Sequence, residues 1–449
     1  MIIIQIQTDS YDRLKRDMPS TSIENETIDS NEINGKISKP ILVSLFVIIL
    51  CVNHFFNLVP WARVHGSFNS SDIGLLILVI LLIFLLGSNK NKACLKNGIS
   101  YMVLAYLFMV TAQVANVSFN YGQSITDGLI ASRHQLYYLS FFVFLMIFDS
   151  EKSIKQFLNF VMLIGVALCL AGLVNYFGVK IFYHKWAEGH GVRAGVIRAF
   201  FSGMGVITFS LFWVISQWLV ARKLGFSHKV SGILLILAHI MRQTRGTILT
   251  VFITVVVMLV HEGKVKILIG LGIFIVAISS VISIYEGTNI LIEPFTSAYE
   301  DISEGGGTWE PRLKQLETDV SVFMEHPVFG GGTYAIRLNT DGKSLMELRQ
   351  LTELHQNADL GYTHWIKSYG LVGGIWLICL YVLIGKHVKY VMSSIAKQMK
   401  PVALMAAGYS FFVMLSFVTE PHFVWPDKIL LICIALAMIV RVRQLSSRS

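Results

Sequence analysis

Two pairs of arginines, Arg193 with Arg198 and Arg242 with Arg245, and two histidines, His355 and His364, are the side chains here best suited to chemistry. A guanidinium stays charged at any relevant pH and meets two phosphate oxygens at once, so convergent pairs suit a phosphoryl ligand, a diphosphate above all. An imidazole titrates near neutrality and accepts a hydroxyl proton, and Asp359 stands close enough in sequence to orient one. Each type has a plainer use. An arginine at the end of a membrane span snorkels to lipid head groups, and a loop histidine often serves only as a surface hydrogen-bonding group. Lys367, inside a long apolar run, either snorkels or meets an anion. Asn53, His54 and Asn57 form a polar stripe at helical spacing that suits interhelical hydrogen bonds as well as a ligand. His184, Glu188 and His190 match no zinc spacing, so no metal is expected there.

The elements that must hold these groups are membrane spans. Hydrophobic residues make up 54% of the 449 and charged residues only 14%, which excludes an ordinary soluble domain. Apolar runs occupy approximately 41–59, 72–87, 98–117, 134–148, 157–177, 199–220, 230–241, 246–260, 265–284, 362–384, 401–419 and 428–440. That is about 12 spans, the longer of them sufficient at about 1.5 Å per residue to cross a hydrocarbon layer of about 30 Å. The expected class is an all-α polytopic bundle with one large external helical loop. The net charge of +9 is not a nucleic-acid signature, because its lysines and arginines fall on alternate connections. Arg13, Lys36, Lys90, Lys92, Lys152, Lys155, Lys223, Lys264, Lys386, Lys397 and Arg443 share one side if the spans are right. The positive-inside rule makes that side cytoplasmic, with both termini inside and the long loop outside.

The expected divisions are a disordered cytoplasmic leader over 1–40, nine spans over 41–284, an external cap loop over 285–361, three spans over 362–440 and a cytoplasmic tail over 441–449. The leader is too polar for a cleavable signal peptide. Within the cap loop, Leu313, Leu316, Val320 and Phe323 recur at spacings of three and four after Pro311, which predicts an amphipathic helix over 311–325. His326-Pro327 ends it, Gly330-Gly331-Gly332 follows as a turn or close approach, and a second helix is expected over 344–356. The five cysteines lie in spans or in a cytoplasmic loop, so no disulfide is expected. There is no Walker motif, dinucleotide fingerprint or H-E-x-x-H, which argues against an ATP-driven pump and a zinc protease.

The order of these pieces resembles the O-antigen ligase and O-antigen polymerase superfamily of bacterial envelope enzymes. Arg312, then His326-Pro327-Val328-Phe329-Gly330-Gly331-Gly332, then His355-Gln356-Asn357 precede Tyr369-Gly370-Leu371-Val372-Gly373-Gly374 at the opening of a span. The family pattern is similar: a loop arginine, His-Pro-x-Phe-Gly-x-Gly, His-Asn, and Gly-Leu-x-Gly. Thr244-Arg245-Gly246 looks like its Ser-Arg-Gly at the outer mouth of a helix hairpin. The likeness covers roughly the second half of the chain. It departs where Gln356 separates His355 from Asn357, so that His364 competes with His355, and either Arg193 or Arg198 fits the upstream arginine.

The resemblance implies a glycosyltransferase C-type bundle in the bacterial inner membrane and a donor glycan carried on a polyprenyl diphosphate. Transfer would go to an acceptor hydroxyl with inversion at the anomeric carbon, with no nucleotide sugar, cofactor or metal. The histidine would take the hydroxyl proton, and Arg193, Arg198, Arg242, Arg245 and Arg312 would be the candidates to bind the diphosphate. A polymerase, with a second lipid-linked glycan as acceptor, is preferred because no acceptor-specific element is recognisable. A ligase acting on lipid A–core is the alternative. A polysaccharide flippase or other transporter is a third reading, weakened by the lack of an internal repeat. The charge asymmetry makes a direct prediction. Membrane-impermeant labelling of single cysteines should reach positions 304 and 350 from outside, and positions 90, 264 and 397 only from the cytoplasmic face. Labelling of position 350 from the cytoplasm alone would overturn the span count.

Overall fold

The protein is described from a computed structural model that covers residues 35–59, 63–65, 68–88, 92–183, 192–193, 196–197, 199–221, 225–242, 244–267, 309–332, 360–394 and 398–447. These residues are overwhelmingly helical. In chain order the helices are α1 (Lys39–Val52), α2 (Ser70–Gly87), α3 (Gly98–Tyr121), α4 (Ile125–Ser132), α5 (Ser140–Ile147), α6 (Glu151–Tyr176) and α7 (Met204–Val220). They continue with α8 (Phe226–Arg242), α9 (Arg245–His261), α10 (Trp309–Glu325), α11 (Gly361–Ser394), α12 (Lys400–Ser416) and α13 (Pro426–Ser446). Two small antiparallel hairpins interrupt them, β1 (Arg63–His65) with β2 (Phe68–Asn69) and β3 (Val192–Arg193) with β4 (Val196–Ile197).

Five of the helices, α2, α3, α6, α11 and α13, are long and apolar enough to cross a membrane, and α1, α7, α9 and α12 are shorter apolar helices. The chain is an integral membrane protein. The run at 134–148 is a 3₁₀ segment, Arg133–Leu139, that passes into α5. The run at 265–284 lies outside the described residues beyond 267, as does the second loop helix expected over 344–356. Helix starts follow local chemistry. Asn69 and Asp72 form a capping box for α2, Ser150 and Ser153 do the same for α6, and Pro401 and Pro426 open α12 and α13.

The first span departs from the sequence reading. Helix α1 stops at Val52, and His54, Phe55, Phe56 and Asn57 all take φ between 51° and 55°, a left-handed turn built without glycine. The polar stripe at helical spacing therefore does not form. Instead the His54 ring meets Ser70 Oγ at 3.0 Å, Asn57 Nδ2 donates to Ser202 Oγ at 2.9 Å, and Asn57 O accepts from Tyr183 N at 2.7 Å. Such a turn costs about 1–2 kcal/mol per residue, and these tertiary bonds offset it.

Helix α13 is the axis of the bundle, buried from Ile429 through Val442 and packed against α5, α7, α11 and α12. Its Arg441, also buried, donates through Nε to Phe148 O at 2.5 Å, just past the end of α5, where a cation is favoured. Other contacts at this end are lysine-rich: Lys400 pairs with Glu262 at 2.7 Å, and Lys264 donates to Leu219 O. The opposite end carries the left-handed turn, the α8–α9 corner, the α12–α13 loop and the start of α11.

One contact orders that opposite end. Helix α11 breaks at Gly370 (φ 60°, ψ −155°). A continuous helix would join Leu371 N to Lys367 O and Val372 N to Ser368 O. Here the segment after α10 intervenes. Gly331 N and Gly332 N donate to Lys367 O and Ser368 O at 2.8 and 3.1 Å, while Leu371 N and Val372 N donate to Pro327 O and Val328 O at 2.9 and 3.1 Å. Gly330 (φ 73°) lies against the break so closely that a β-carbon there would fall 2.6 Å from Gly370 N, and one on Gly370 would fall 2.5 Å from Val328 O. Both positions need glycine for their φ and for this approach. Gly370→Val should therefore lower stability by about 3 kcal/mol or more, seen as a depressed melting temperature in detergent. A wild-type melting curve would mean that the two backbones are not in contact.

Candidate functional site

Glycines at the break put the loop and the first turns of α11 into one unit, and a buried ion pair completes it. Lys367 Nζ lies 2.5 Å from Asp319 Oδ1, with the side chains 7% and 1% exposed. Thr363 Oγ1 donates to Asp319 Oδ2 at 2.9 Å, and Gln315 Nε2 lies 3.5 Å from the same oxygen. The anion held by Lys367 is thus an internal carboxylate of α10. His364 is buried one turn from Lys367 on α11. Arg312 is half-buried one turn before Gln315 on α10, the helix that carries Asp319. From the far side, Gln113 of α3 donates to Phe329 O, and Val117 closes on Gly332.

A second cluster lies at the α8–α9 corner. Arg242 ends α8, and Thr244 is the N-cap of α9, so Arg245 and Gly246 sit where the helix N-terminus favours negative charge. Thr247 Oγ1 donates to Glu420 Oε1 at 2.8 Å, and Lys428 Nζ reaches Glu420 Oε2 at 2.6 Å. His422 lies 3.8 Å from the same carboxylate and shares a 2.6 Å hydrogen bond with Ser416 Oγ. Burial alone would push the Glu420 carboxyl up, but Lys428, His422 and Arg242 outweigh it and hold the group well below the usual carboxylate range. Burial, reinforced by Lys428 and opposed by Glu420, lowers His422 to about 3, so it stays neutral and acts here as a hydrogen-bonding group.

The two clusters share a wall. Gly361, which opens α11, is so close to Phe417 O and Glu420 O that any β-carbon would collide with them, and Gly246 faces Thr419. The candidate base helix and the arginine corner are therefore fixed through the α12–α13 loop. Upstream, Ala199 N donates to Met241 O at 3.1 Å, so the chain leaving the β3–β4 hairpin of Arg193 arrives beside Arg242. Arg198 and His355 lie outside the described residues, as do His184, Glu188 and His190, and the side chains of Arg193 and Arg245 do too. Among the described residues no group of three or more His, Cys, Asp or Glu is placed to hold a metal ion.

Sequence reasoning missed Asp319, Glu420, His422 and Lys428. Thr419-Glu420-Pro421-His422 did carry a signal: two ionisable groups beside a proline in a short connection between spans, on the side poor in cations. Asp319 carried none, because an acid on the polar side of an amphipathic helix is ordinary.

Residues 230–378, roughly a third of the chain, match a family model described as O-antigen ligase. The matched region runs from α8 through the stitched half of α11 and includes Arg242, Arg245, Arg312, His355, His364 and both glycine motifs. The similarity to the O-antigen ligase and polymerase superfamily read from those motifs is shown over this region. No curated protein matches the chain.

The Asp319–Lys367 pair yields a quantitative expectation. Removing one partner of a buried pair strands the other charge and costs about 3–5 kcal/mol, whereas replacing both by apolar groups is often near neutral. Asp319→Leu and Lys367→Met should each lower the melting temperature sharply in detergent, and the double variant should recover most of the loss. Additive losses would show that the two groups do not depend on each other.

Proposed function

We propose that this protein transfers a glycan from a polyprenyl diphosphate to an acceptor hydroxyl at the external face of the bacterial inner membrane. The observation that carries the reading is the family-matched region folded so that Arg242 and the Thr-Arg-Gly helix start share one corner with the head of α11. In this reading the acceptor oxygen attacks the anomeric carbon, the bond from that carbon to the diphosphate oxygen breaks, and the hydroxyl proton passes to a histidine. Arg242 and Arg245, with Arg312 and either Arg193 or Arg198, neutralise the charge on the departing diphosphate. His355 is the first candidate for the base. His364 is the reserve, because a base must reach solvent or substrate and His364 is only 4% exposed. The membrane frame that goes with this is a glycosyltransferase C-type bundle of about 12 spans with both termini cytoplasmic.

The preferred acceptor is a second lipid-linked glycan, which makes the protein a polymerase of O-antigen or a related surface polysaccharide. The description of the matching family favours the second reading, ligation to lipid A–core. Purified protein in liposomes, given a polyprenyl-diphosphate-linked oligosaccharide with and without lipid A–core, separates the two by product. Elongated lipid-linked glycan supports polymerisation, and glycan on lipid A–core supports ligation. Movement of donor across the bilayer without a new glycosidic bond would point to a transporter.

Within that assay Arg245→Ala should abolish transfer, with Lys rescuing poorly because a point charge does not replace a bidentate fork. His355→Ala should lower turnover by about 10²–10⁴-fold with little change in donor binding. Wild-type turnover should fall as pH drops through the imidazole range near about 6.5, since an imidazolium accepts no proton. If His364→Ala is inactive and His355→Ala turns over normally, the two roles are exchanged. Normal turnover in both would remove histidine from the mechanism.

A further inference from the structure

Helix α10 buries the side that the sequence pattern would leave outside. Gln315, Asp319 and Val322 face the bundle, while Leu313, Leu316, Val320 and Met324 are exposed, Met324 at 71% and Val320 at 49%. At about 100° per residue Lys314, Thr318, Ser321 and Glu325 stand together in a third sector. Glu317 lies at the seam between the apolar and polar sectors. A helix with a protein face, a polar face and an apolar face touches three different media.

The apolar sector continues a surface that must meet lipid. After α10 the chain presents exposed Val328 and Phe329, and the Val328 carbonyl is bonded to Val372 N of α11. From that junction Leu371, Ile375, Ile378 and Val382 run down α11 as a single exposed row at spacings of four and three. If Lys386 marks the inner boundary, Gly370 stands about 24 Å above it, within a hydrocarbon layer of about 30 Å. The stitched loop then reaches below the outer boundary, which is permitted only because its peptide groups are bonded to α11.

We infer that α10 lies in the outer membrane–water interface, with its Leu313–Leu316–Val320–Met324 row against the acyl chains of the outer leaflet and its Lys314–Ser321–Glu325 side in water. The Asp319–Lys367 pair anchors the third side to α11. The occupant of the apolar row is bulk phospholipid, because the row is continuous with the lipid-facing side of a membrane span and adjoins a water-facing sector on the same helix. The donor's approach would then be from the lipid phase, alongside a helix held at the level of the head groups.

The test needs no enzymatic activity, so it stands apart from the transferase reading. Single cysteines at 316, 320, 321, 324 and 325, in a protein whose natural cysteines are replaced, would carry nitroxide labels in phosphatidylglycerol–phosphatidylethanolamine liposomes. Collisions with oxygen should dominate at 316, 320 and 324, and collisions with a water-soluble nickel chelate at 321 and 325. In the otherwise natural sequence, benzoylphenylalanine in place of Val320 should crosslink to phospholipid on illumination, and in place of Ser321 should not. Nickel access at 320 equal to that at 321 would overturn the proposal. So would exclusion of both probes from 320, which would mean that protein covers the row.

Discussion

The exchange of backbone hydrogen bonds at Gly370 is the constraint on which the half of this protein that carries the candidate site depends. In a bilayer an unpaired peptide group costs several kcal/mol, so a span breaks only where something else supplies its partners. Pro327, Val328, Gly331 and Gly332 supply them, two acceptors and two donors for the two helical bonds removed at the break. Proline suits its place in that set, since it gives a carbonyl and has no N–H to leave unpaired. The exchange fixes the end of α10 in height and orientation, and it makes Asp319 and Lys367 neighbours. Without that pairing the lysine would be a buried cation in a span. With it, Lys367 becomes the second fastening between the loop and α11.

Three ion pairs on this side of the molecule join separate elements. Asp72 of α2 lies 2.5 Å from Nε of Arg133, Asp319 of α10 meets Lys367 of α11, and Glu420 of the α12–α13 loop meets Lys428 of α13 and Thr247 of α9. Exposed pairs of this kind contribute little, but buried ones fix geometry because the cost of separating them is large. Glu420 illustrates the point. Its carboxylate is held ionised by Lys428 and Arg242, so the negative charge that orders the α9 corner persists under mildly acidic conditions. The corner that carries Arg242 and the start of α9 is thereby kept in shape by an internal carboxylate.

Much of this was legible in the sequence, and the reason for each success or failure is local. The runs at 72–87, 98–117, 157–177, 362–384 and 428–440 fall on the five longest apolar helices because length and apolarity are properties of a segment alone. The helix after Trp309, the α8–α9 hairpin and the need for glycine at 330 were likewise local. The use of those glycines was not, since nothing in His326–Gly332 names the peptide groups of residues 367–372 as its partners. The same holds for Asp319 and Lys367, remote in sequence and adjacent in space. The first span failed for another reason. Phe55 and Phe56 have no preference for positive φ, and only the tertiary bonds of His54 and Asn57 impose the left-handed turn that ends α1. The buried side of α10 was hidden by its neighbours, because an apolar stripe faces a core only when water is the alternative, and here the alternative is lipid.

The fastenings gather the described part of the candidate chemistry into one fixed frame. Gly332 is held on Ser368 O and against Val117, and Gly361 is wedged against Phe417 and Glu420, two fixed points on the same half of α11. Arg242, the start of α9 and His364 belong to that frame, and His355 lies outside the described residues. A diphosphate needs fixed cations, since reorganising charge during bond cleavage forfeits the stabilisation that pre-placed donors provide. Under the proposed reaction the corner of Arg242 and the start of α9 meets that need, because Glu420 and Gly361 fasten it to the head of α11.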